Sequence, residues 1–324
     1  MEKKICVVGG GRWGQNHIRE LFQMGCLGGI VEKNTARLKD LTDTYPTEGF
    51  TSLEDALKAD FNGFVVATPA ETHYEIGKTL IGHGRNVLIE KPMTLLASQT
   101  RELASLSDRN QTRLMVGHIL LFHPAIRKIK ELIAIGRLGR LYYIYSTRLN
   151  LGTVRTEENV FWSFAPHDIS VMNHLTGSQP VGIYARGGKF LQDKLEDVTV
   201  THLEYPENIR AHIFVSWLHP FKEQRLVVVG SEGMISFEDS SQDKNIMLYN
   251  KRIQMAGGLP RKVEQPDEVI PYDRASPLRK ELEYFIEGLD GRITVADGWN
   301  GAEVVRILEQ AQQCLSKQSE GVEE

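Results

Sequence analysis

ICVVGGGRWG, residues 5–14, decides how the first third of this chain is read. A short β-branched run ends in three glycines, Gly9, Gly11 and Gly14, which fit GxGxxG. Ile18, Leu21 and Phe22 then recur at helical spacing, and Gly25 is placed to end that helix. In a strand–turn–helix, the first glycine makes the tight turn and the second lets the backbone approach a pyrophosphate. The third lets helix and strand pack closely. The helix points its unbonded N–H groups and positive dipole end at the anion. The strand before the loop and the helix after it are the context this motif requires. Arg12 and Trp13, inside the loop, are cofactor-binding candidates with the three glycines.

GGIVE (28–32) reads as a second strand ending in Glu32, 18 residues beyond Gly14. An acid there receives the adenosine ribose hydroxyls and repels a 2′-phosphate, which favours NAD over NADP. Lys33 and Arg37 nearby keep NADP open as the alternative. Farther out, SLEDALKA (52–59) opens with Ser52 and Asp55 in capping-box spacing. FVVAT (64–68) is a strand, HYEIGKTLIGHG (73–84) a helix, NVLIEKP (86–92) a buried strand and RLMVGH (113–118) another strand. Strands alternating with helices predict a doubly wound parallel sheet, an α/β Rossmann domain over residues 1–120.

The pattern changes near residue 120. HPAIRKIKELIAIGRLG (123–139) reads as one amphipathic helix, with Ile126, Ile129, Leu132 and Ile133 on a face. Strands then follow at 141–150, 181–187, 197–205, 209–218, 224–230, 234–239 and 246–250, with SEG (231–233) as a hairpin turn. This predicts an antiparallel meander: an α+β domain over 121–324 with a large open, mainly antiparallel sheet. One sheet face is left for solvent or for another subunit. Helices at 278–289 and 301–315 close the chain, and the polar KQSEGVEE tail reads as frayed.

The composition narrows the class of protein. The chain has 324 residues, which predicts two domains of about 150 each. Its net charge is −4, from 38 basic and 42 acidic residues without a basic stripe, so nucleic acid is not an expected partner. No apolar run is long enough to span a membrane, and MEKKICVVGG lacks the apolar stretch of a secretory signal. Cys6, Cys26 and Cys314 form no CxxC and predict neither a disulfide framework nor a metal site. A reduced, cytoplasmic protein is the expectation.

Two loops carry the candidate chemistry. ATPAETH (67–73) and IEKP (89–92) lie at strand C-terminal ends, the edge at which doubly wound sheets bind ligands. Thr68, Pro69, His73, Glu90 and Lys91 are cofactor-site candidates. Pro69 stiffens a loop running under the riboses, and His73 starts a helix with or without ligand contact. Lys91 places a cation beside a nicotinamide, where it stabilises a developing alkoxide.

In WSFAPHDIS (162–170), Pro166 is expected in a first helical turn. Ile169, Met172 and Leu175 continue at helical spacing, and Gly177 ends the helix. His167 would then sit at a positive dipole end, which disfavours imidazolium and leaves a neutral general base. RLNLGTVR (148–155) puts Arg148 and Asn150 on one strand face, with Arg155 in the loop beyond. Arginines there suit a phosphate or carboxylate, with surface ion pairing as the alternative. Trp162 and SWLHP (216–220) offer flat surface for a sugar or base, against ordinary core packing.

GGGRWG, ATPAETH and IEKP, followed by a sheet domain, resemble the glucose–fructose oxidoreductase, inositol dehydrogenase and MocA family over essentially the whole chain. The resemblance implies a catalytic lysine at Lys91 and an acid/base histidine at His167. The family's aspartate four positions before that histidine is Ser163 here, and Asp168 is not its equivalent. GHILLFHPAI (117–126) puts His118 and His123 where Asn/Arg chemistry is usual, so both join the substrate-contact candidates. VGHILLFHPAI, RLNLGTVRTEENVFW and SFAPHDIS resemble one branch, which oxidises the C3 hydroxyl of UDP-N-acetylglucosamine with NAD. The resemblance implies a 3-keto product passed to an aminotransferase for lipid A or surface polysaccharide, and a homodimer or homotetramer. The corresponding uronate is the competing substrate. A dehydrogenase of another sugar or polyol, or a non-catalytic NAD-binding protein, is the remaining alternative; Lys91 and His167 argue against the latter.

Overall fold

The computed structural model describes residues 3–320. It divides into two compact units. One runs to Phe122 and takes in Ala275–Arg306; the other comprises His123–Arg274 and the chain from Ile307. The sequence reading put everything after residue 120 in the second domain. In the structure, residues 275–306 belong to the first unit.

In the first unit the strands are β1 (Ile5–Val8), β2 (Leu27–Val31), β3 (Glu48–Phe50), β4 (Gly63–Val66), β5 (Val87–Glu90) and β6 (Leu114–Gly117). The helices are α1 (Gly14–Gln23), α2 (Thr35–Thr44), α3 (Leu53–Ala56), α4 (His73–Gly82) and α5 (Ala97–Arg109). All strand pairs are parallel, in the order β3-β2-β1-β4-β5-β6. Strands β1, β4, β5 and β6 are buried at every position, as a parallel sheet covered on both faces requires. The chain leaves β1 in one direction toward β2 and β3, and continues in the other through β4 to β6. The C-terminal ends of β1 and β4 therefore flank the switch point at which such sheets open a crevice. The sequence reading did not locate β3, α2 or α5. β3 is a three-residue, largely exposed strand, and α2 buries only Leu38 and Leu41. The Ser52 cap forms as expected, its hydroxyl oxygen accepting from the Asp55 N–H at 3.2 Å.

The second unit contains α6 (Pro124–Ala134), β7 (Leu141–Leu149), α7 (Val160–Thr176), β8 (Gly182–Gly188), β9 (Val198–Glu204), β10 (Arg210–Ser216), β11 (Glu223–Gly230), β12 (Met234–Glu238) and β13 (Ile246–Tyr249). Strands β14 (Lys251–Ala256), β15 (Leu259–Glu264) and β16 (Glu268–Ile270) follow. The eight-stranded sheet runs β16-β13-β12-β11-β7-β10-β9-β8, so the expected simple meander is corrected. β7 lies between β11 and β10 and pairs with β10 in parallel. Parallel neighbours need a long connection, here α7 with β8 and β9. The SEG turn does join β11 and β12 as an antiparallel hairpin.

One sheet face is covered by α7, which is buried along most of its length. Ile144, Ala211, Ile213 and Val215 face it from β7 and β10. The opposite face carries Tyr145 and His212, whose rings stack at 5.1 Å between centroids. β14 and β15 form a separate exposed hairpin.

Helices α8 (Pro277–Gly288) and α9 (Gly298–Glu320) close the described chain, with the unit boundary inside α9. The expected fray covers Lys317–Glu320, which are helical; residues 321–324 lie outside the described residues. Among the described residues, no helix is long and apolar enough to cross a membrane.

Candidate active site

The glycine loop is built as its spacing demands. Gly9 has φ +102°, and a Cβ there would meet the Ala67 carbonyl oxygen at 2.8 Å. A Cβ on Gly14 would lie 1.9 Å from the Gly9 carbonyl oxygen, so α1 starts against the β1 turn only with glycine in place. At Gly11 a Cβ would meet nothing within 4 Å, which leaves open space beside the backbone. No side chain caps α1, and its Gln15 and Asn16 N–H groups bond the Gly11 and Trp13 carbonyl oxygens at 3.0 and 2.9 Å. An uncapped helix start beside open backbone fits an anionic phosphate.

Glu32 follows β2 at the rim of this loop. Its Oε2 accepts from the Gly10 N–H and its Oε1 from the Asn34 N–H, both at 2.9 Å. Arg37 Nη1 stands 3.4 Å from the same carboxylate. A carboxylate has about four lone-pair sites, so acceptor capacity remains for ribose hydroxyls. The residues present fit a dinucleotide.

Arg12 and Trp13 are exposed, but the Trp13 indole N–H reaches inward to donate to Glu90. Glu90, at the end of β5, also lies 2.7 Å from His17 Nε2 of α1 and accepts from the Lys91 N–H at 3.1 Å. Burial opposes its ionisation, yet the hydrogen bond and charge of His17, with the two N–H donors, hold the carboxyl below its usual value. Glu90 thus ties the glycine loop and α1 to the Lys91 loop. The sequence reading missed His17. Its signal was an i, i+4 alignment with Leu21 on the buried face of α1.

His73 is enclosed, between the Pro92 carbonyl oxygen at Nδ1 (2.9 Å) and the Thr68 carbonyl oxygen at Nε2 (2.8 Å). A neutral ring donates to only one of them, and burial holds its pKa below the ordinary value. The ring joins the loops after β4 and β5. The Thr72 hydroxyl donates to the Thr68 hydroxyl at 2.7 Å, and Pro69 opens the short 3₁₀ turn Ala70–Thr72. His118, expected at a substrate, is 1% exposed, and burial pushes its pKa down to about 4. The charges acting on it are those of Glu90 and Lys91.

In the second unit the expectation for His167 is corrected. α7 begins at Val160, capped by Asn159, whose Oδ1 accepts from the Trp162 N–H at 3.1 Å. Pro166 lies inside the helix and His167 follows it, two turns from the N-terminus, too far for the helix-end dipole to act. Pro166 has no N–H for the Trp162 carbonyl, a gap one turn before His167. Ser163 is buried beside them, Trp162 is half-buried, and Trp217 is a fully buried core residue.

Arg148 and Asp168, both substrate-contact candidates from the sequence, are paired with each other. Arg148 Nε donates to Asp168 Oδ2 at 3.0 Å and Nη2 to Oδ1 at 3.2 Å, a forked pair joining β7 to α7. Asn150 hydrogen-bonds through its backbone N–H to the Ser216 carbonyl at 3.1 Å, one residue past the end of β7. Arg155 is exposed and pairs with Glu158 at 3.3 Å. His123 is engaged on both sides of its ring. Its Nδ1 caps α6 by accepting from the Ala125 N–H at 3.1 Å, and its Nε2 lies 3.7 Å from Asp239. Both ring nitrogens are therefore engaged. Two acids went unread: Glu196 accepts from the Asn159 side chain at 2.6 Å, and Asp197 from the Phe190 and Leu191 N–H groups. Among the described residues, no group of three or more His, Cys, Asp or Glu side chains is arranged to hold a metal ion.

Residues 3–118 match the model of an oxidoreductase family with an NAD-binding Rossmann fold, and residues 126–236 match the GFO/IDH/MocA C-terminal domain. UDP-N-acetylglucosamine 3-dehydrogenase of Acidithiobacillus ferrooxidans is 24% identical over 303 residues, covering 92% of this chain and 93% of that one. Inositol 2-dehydrogenase of Ralstonia nicotianae is 25% identical over 325 residues, covering 93% and 90%. The solved structure of the Acidithiobacillus enzyme superposes with a TM-score of 0.86 at 22% identity, over 97% of this chain and 98% of that one. The WlbA dehydrogenase of Bordetella pertussis, solved with NADH and UDP-GlcNAcA, gives 0.79 at 20% identity over 98% of each chain. At these identities the structural likeness shows the fold. The glycine loop and the parallel sheet lie within the first match and β7 to β11 within the second, and the chain belongs to the GFO/IDH/MocA family of oxidoreductases.

Proposed function

We propose that this protein oxidises the C3 hydroxyl of UDP-N-acetylglucosamine to the 3-keto sugar with NAD. The observation that carries the reading is Lys91, which follows Glu90 at the C-terminal end of β5, on the ligand edge of an NAD-binding sheet. NAD, when bound, supplies the hydride acceptor. Gly9, Gly11 and Gly14 would hold its pyrophosphate, Glu32 its adenosine ribose, and the Thr68–His73 loop its other half. Lys91 donates to the substrate oxygen and stabilises its growing negative charge. His167, directly or through Lys91, takes the hydroxyl proton as the C3–H bond breaks with its electron pair. Glu32 supports NAD over NADP.

The choice of sugar rests on the Acidithiobacillus relative, named UDP-N-acetylglucosamine 3-dehydrogenase. The uronate is the second reading, supported by the complex of WlbA with UDP-GlcNAcA. The engagement of Arg148 by Asp168 favours the neutral sugar, because it takes up a cation that a C6 carboxylate would need. On this reading the first domain binds the dinucleotide and the second the sugar. The product passes to an aminotransferase in the cytoplasm, for lipid A or surface polysaccharide. The sheet face carrying Tyr143, Tyr145 and His212 supports assembly as a homodimer or homotetramer.

The test is turnover of NAD with UDP-N-acetylglucosamine, drawn forward by an aminotransferase and glutamate. Lys91→Met should lower kcat by about 10²-fold or more and leave NAD binding intact. Turnover of the uronate alone would overturn the choice of sugar, and loss of NAD binding in the variant would make Lys91 structural.

A further inference from the structure

Five buried side-chain atoms near Glu90 make no hydrogen bond among the described residues: Nδ1 of His17, both ring nitrogens of His118 and both carboxyl oxygens of Glu281. His17 and Glu281 are 0% exposed and His118 is 1% exposed. Three elements bring them together. His17 bonds Glu90 through its other nitrogen. The Glu90 carboxyl lies over Gly117, where a Cβ would meet its oxygens at 2.8 and 3.0 Å, and His118 is the next residue. Glu281 is on the buried face of α8 with Leu278, Leu282 and Phe285. That helix packs on α1 and on the 3₁₀ turn Ile119–Phe122 that follows His118. An Arg279–Glu20 ion pair fastens α8 to α1 at 3.4 Å.

Buried polar groups are almost always bonded, to protein or to ordered water. An internal water typically makes about three hydrogen bonds to such groups, which these atoms offer. Burial and the neighbouring charge of Glu90 both push the Glu281 carboxyl up, so it keeps its proton and can donate it in a hydrogen bond. The charge acting on Glu281 is that of Glu90; the elements packed against α8 carry His17 and Glu20 on α1 and His118 just before the 3₁₀ turn, and Arg279 lies on its own helix.

We propose that Glu281 donates a hydrogen bond through ordered water to Glu90, with His118 and Nδ1 of His17 closing the cluster, and acts as a positioning residue for Lys91. The inference rests on the reading that Lys91 holds the oxygen of the reacting alcohol. Glu90 accepts from the Lys91 backbone N–H, so whatever fixes that carboxylate fixes the start of the Lys91 loop and the negative charge next to it. A donor on Glu90 stabilises its ionised form. Without that donor Glu90 would take up a proton at higher pH, and the charge beside Lys91 would be lost earlier on acidification.

The experiment uses the full chain with NAD and UDP-N-acetylglucosamine in the aminotransferase-coupled assay. Glu281→Leu should lower kcat about tenfold, leave KM for NAD in place, and move the acid limb of the kcat–pH profile up by about one unit. Glu281→Gln keeps a donor and should return both toward wild type. A Glu281→Leu profile that superimposes on wild type, or a Gln variant as impaired as Leu, overturns the inference. Infrared difference spectra of wild type against Glu281→Gln give a second readout, free of turnover and of any misfolding of the Leu variant. A protonated buried carboxyl band supports the cluster, and its absence overturns it. Wild-type protein that shows the band but oxidises no sugar would instead overturn the functional reading.

Discussion

Arg148 and Asp168 form a forked ion pair, two parallel N–H···O bonds of 3.0 and 3.2 Å that fasten α7 to β7 immediately beside His167. The side chains are 13% and 6% exposed, so little solvent screens them. Removing one partner leaves the other buried and unpaired, which costs about 3–5 kcal/mol. Asp168→Ala should therefore lower the unfolding free energy by about that amount in urea titration. If Arg148 held substrate instead, the variant would raise KM and keep wild-type stability.

Acid stability follows from buried histidines. Burial pushes His118 and His174 down to about 4, the latter helped by the charges of Lys130 and Arg127. The unfolded chain takes up these protons near pH 6.5 and the folded chain does not, so stability is complete above about pH 6.5 and falls toward about pH 4. Glu90, held below the usual carboxylate range, adds a further loss as the pH falls through its own folded value. Glu281, which keeps its proton in the fold, adds the opposite slope, so the test is comparative: wild-type and His174→Gln midpoints should run parallel from about pH 7 to 8, and the variant should lose less below about pH 6.5. Curves that stay parallel down to about pH 4.5 contradict this assignment.

On the proposed reading, cofactor choice turns on Glu32 and Arg37, whose side chains are 3.4 Å apart at the rim of the glycine loop. Glu32→Ala removes the acceptor and frees the guanidinium for a 2′-phosphate. The kcat/KM ratio of NAD to NADP should fall about tenfold or more, the scale of one charged hydrogen bond. An unchanged ratio would remove Glu32 from the ribose.

Pro166 interrupts the hydrogen bonding of α7 one residue before His167. Proline inside a helix costs about 3 kcal/mol. Pro166→Ala should raise stability by a part of that amount and lower kcat, because the backbone carrying His167 is then free to straighten. A rise in stability with unaltered kcat would make the proline incidental to catalysis.

Much of the first unit was legible because a parallel sheet writes its strands as apolar runs: ICVV, FVVAT and VLIE each became a buried strand. β3 was not, since its three residues carry almost no burial. In the second unit strand positions were legible from alternation, but strand order was not, because nothing local in β7 says that its neighbour is β10. The start of α7 was misplaced by reading Pro166 as a helix start; the capping residue, Asn159, sits two turns earlier. The positions named from sequence motifs, Glu32, Glu90 and Lys91, do stand at the C-terminal ends of β2 and β5. Pairings that join distant segments, His17 with Glu90 and Arg148 with Asp168, appear only once the fold brings them together.

The central claim concerns one carbon of one sugar, and isotope transfer tests it most directly. UDP-N-acetylglucosamine carrying deuterium at C3 should deliver that deuterium to the nicotinamide of NAD during coupled turnover, with a primary isotope effect in single-turnover measurements. Reduced cofactor formed without deuterium, with the label retained in the sugar, would contradict the account.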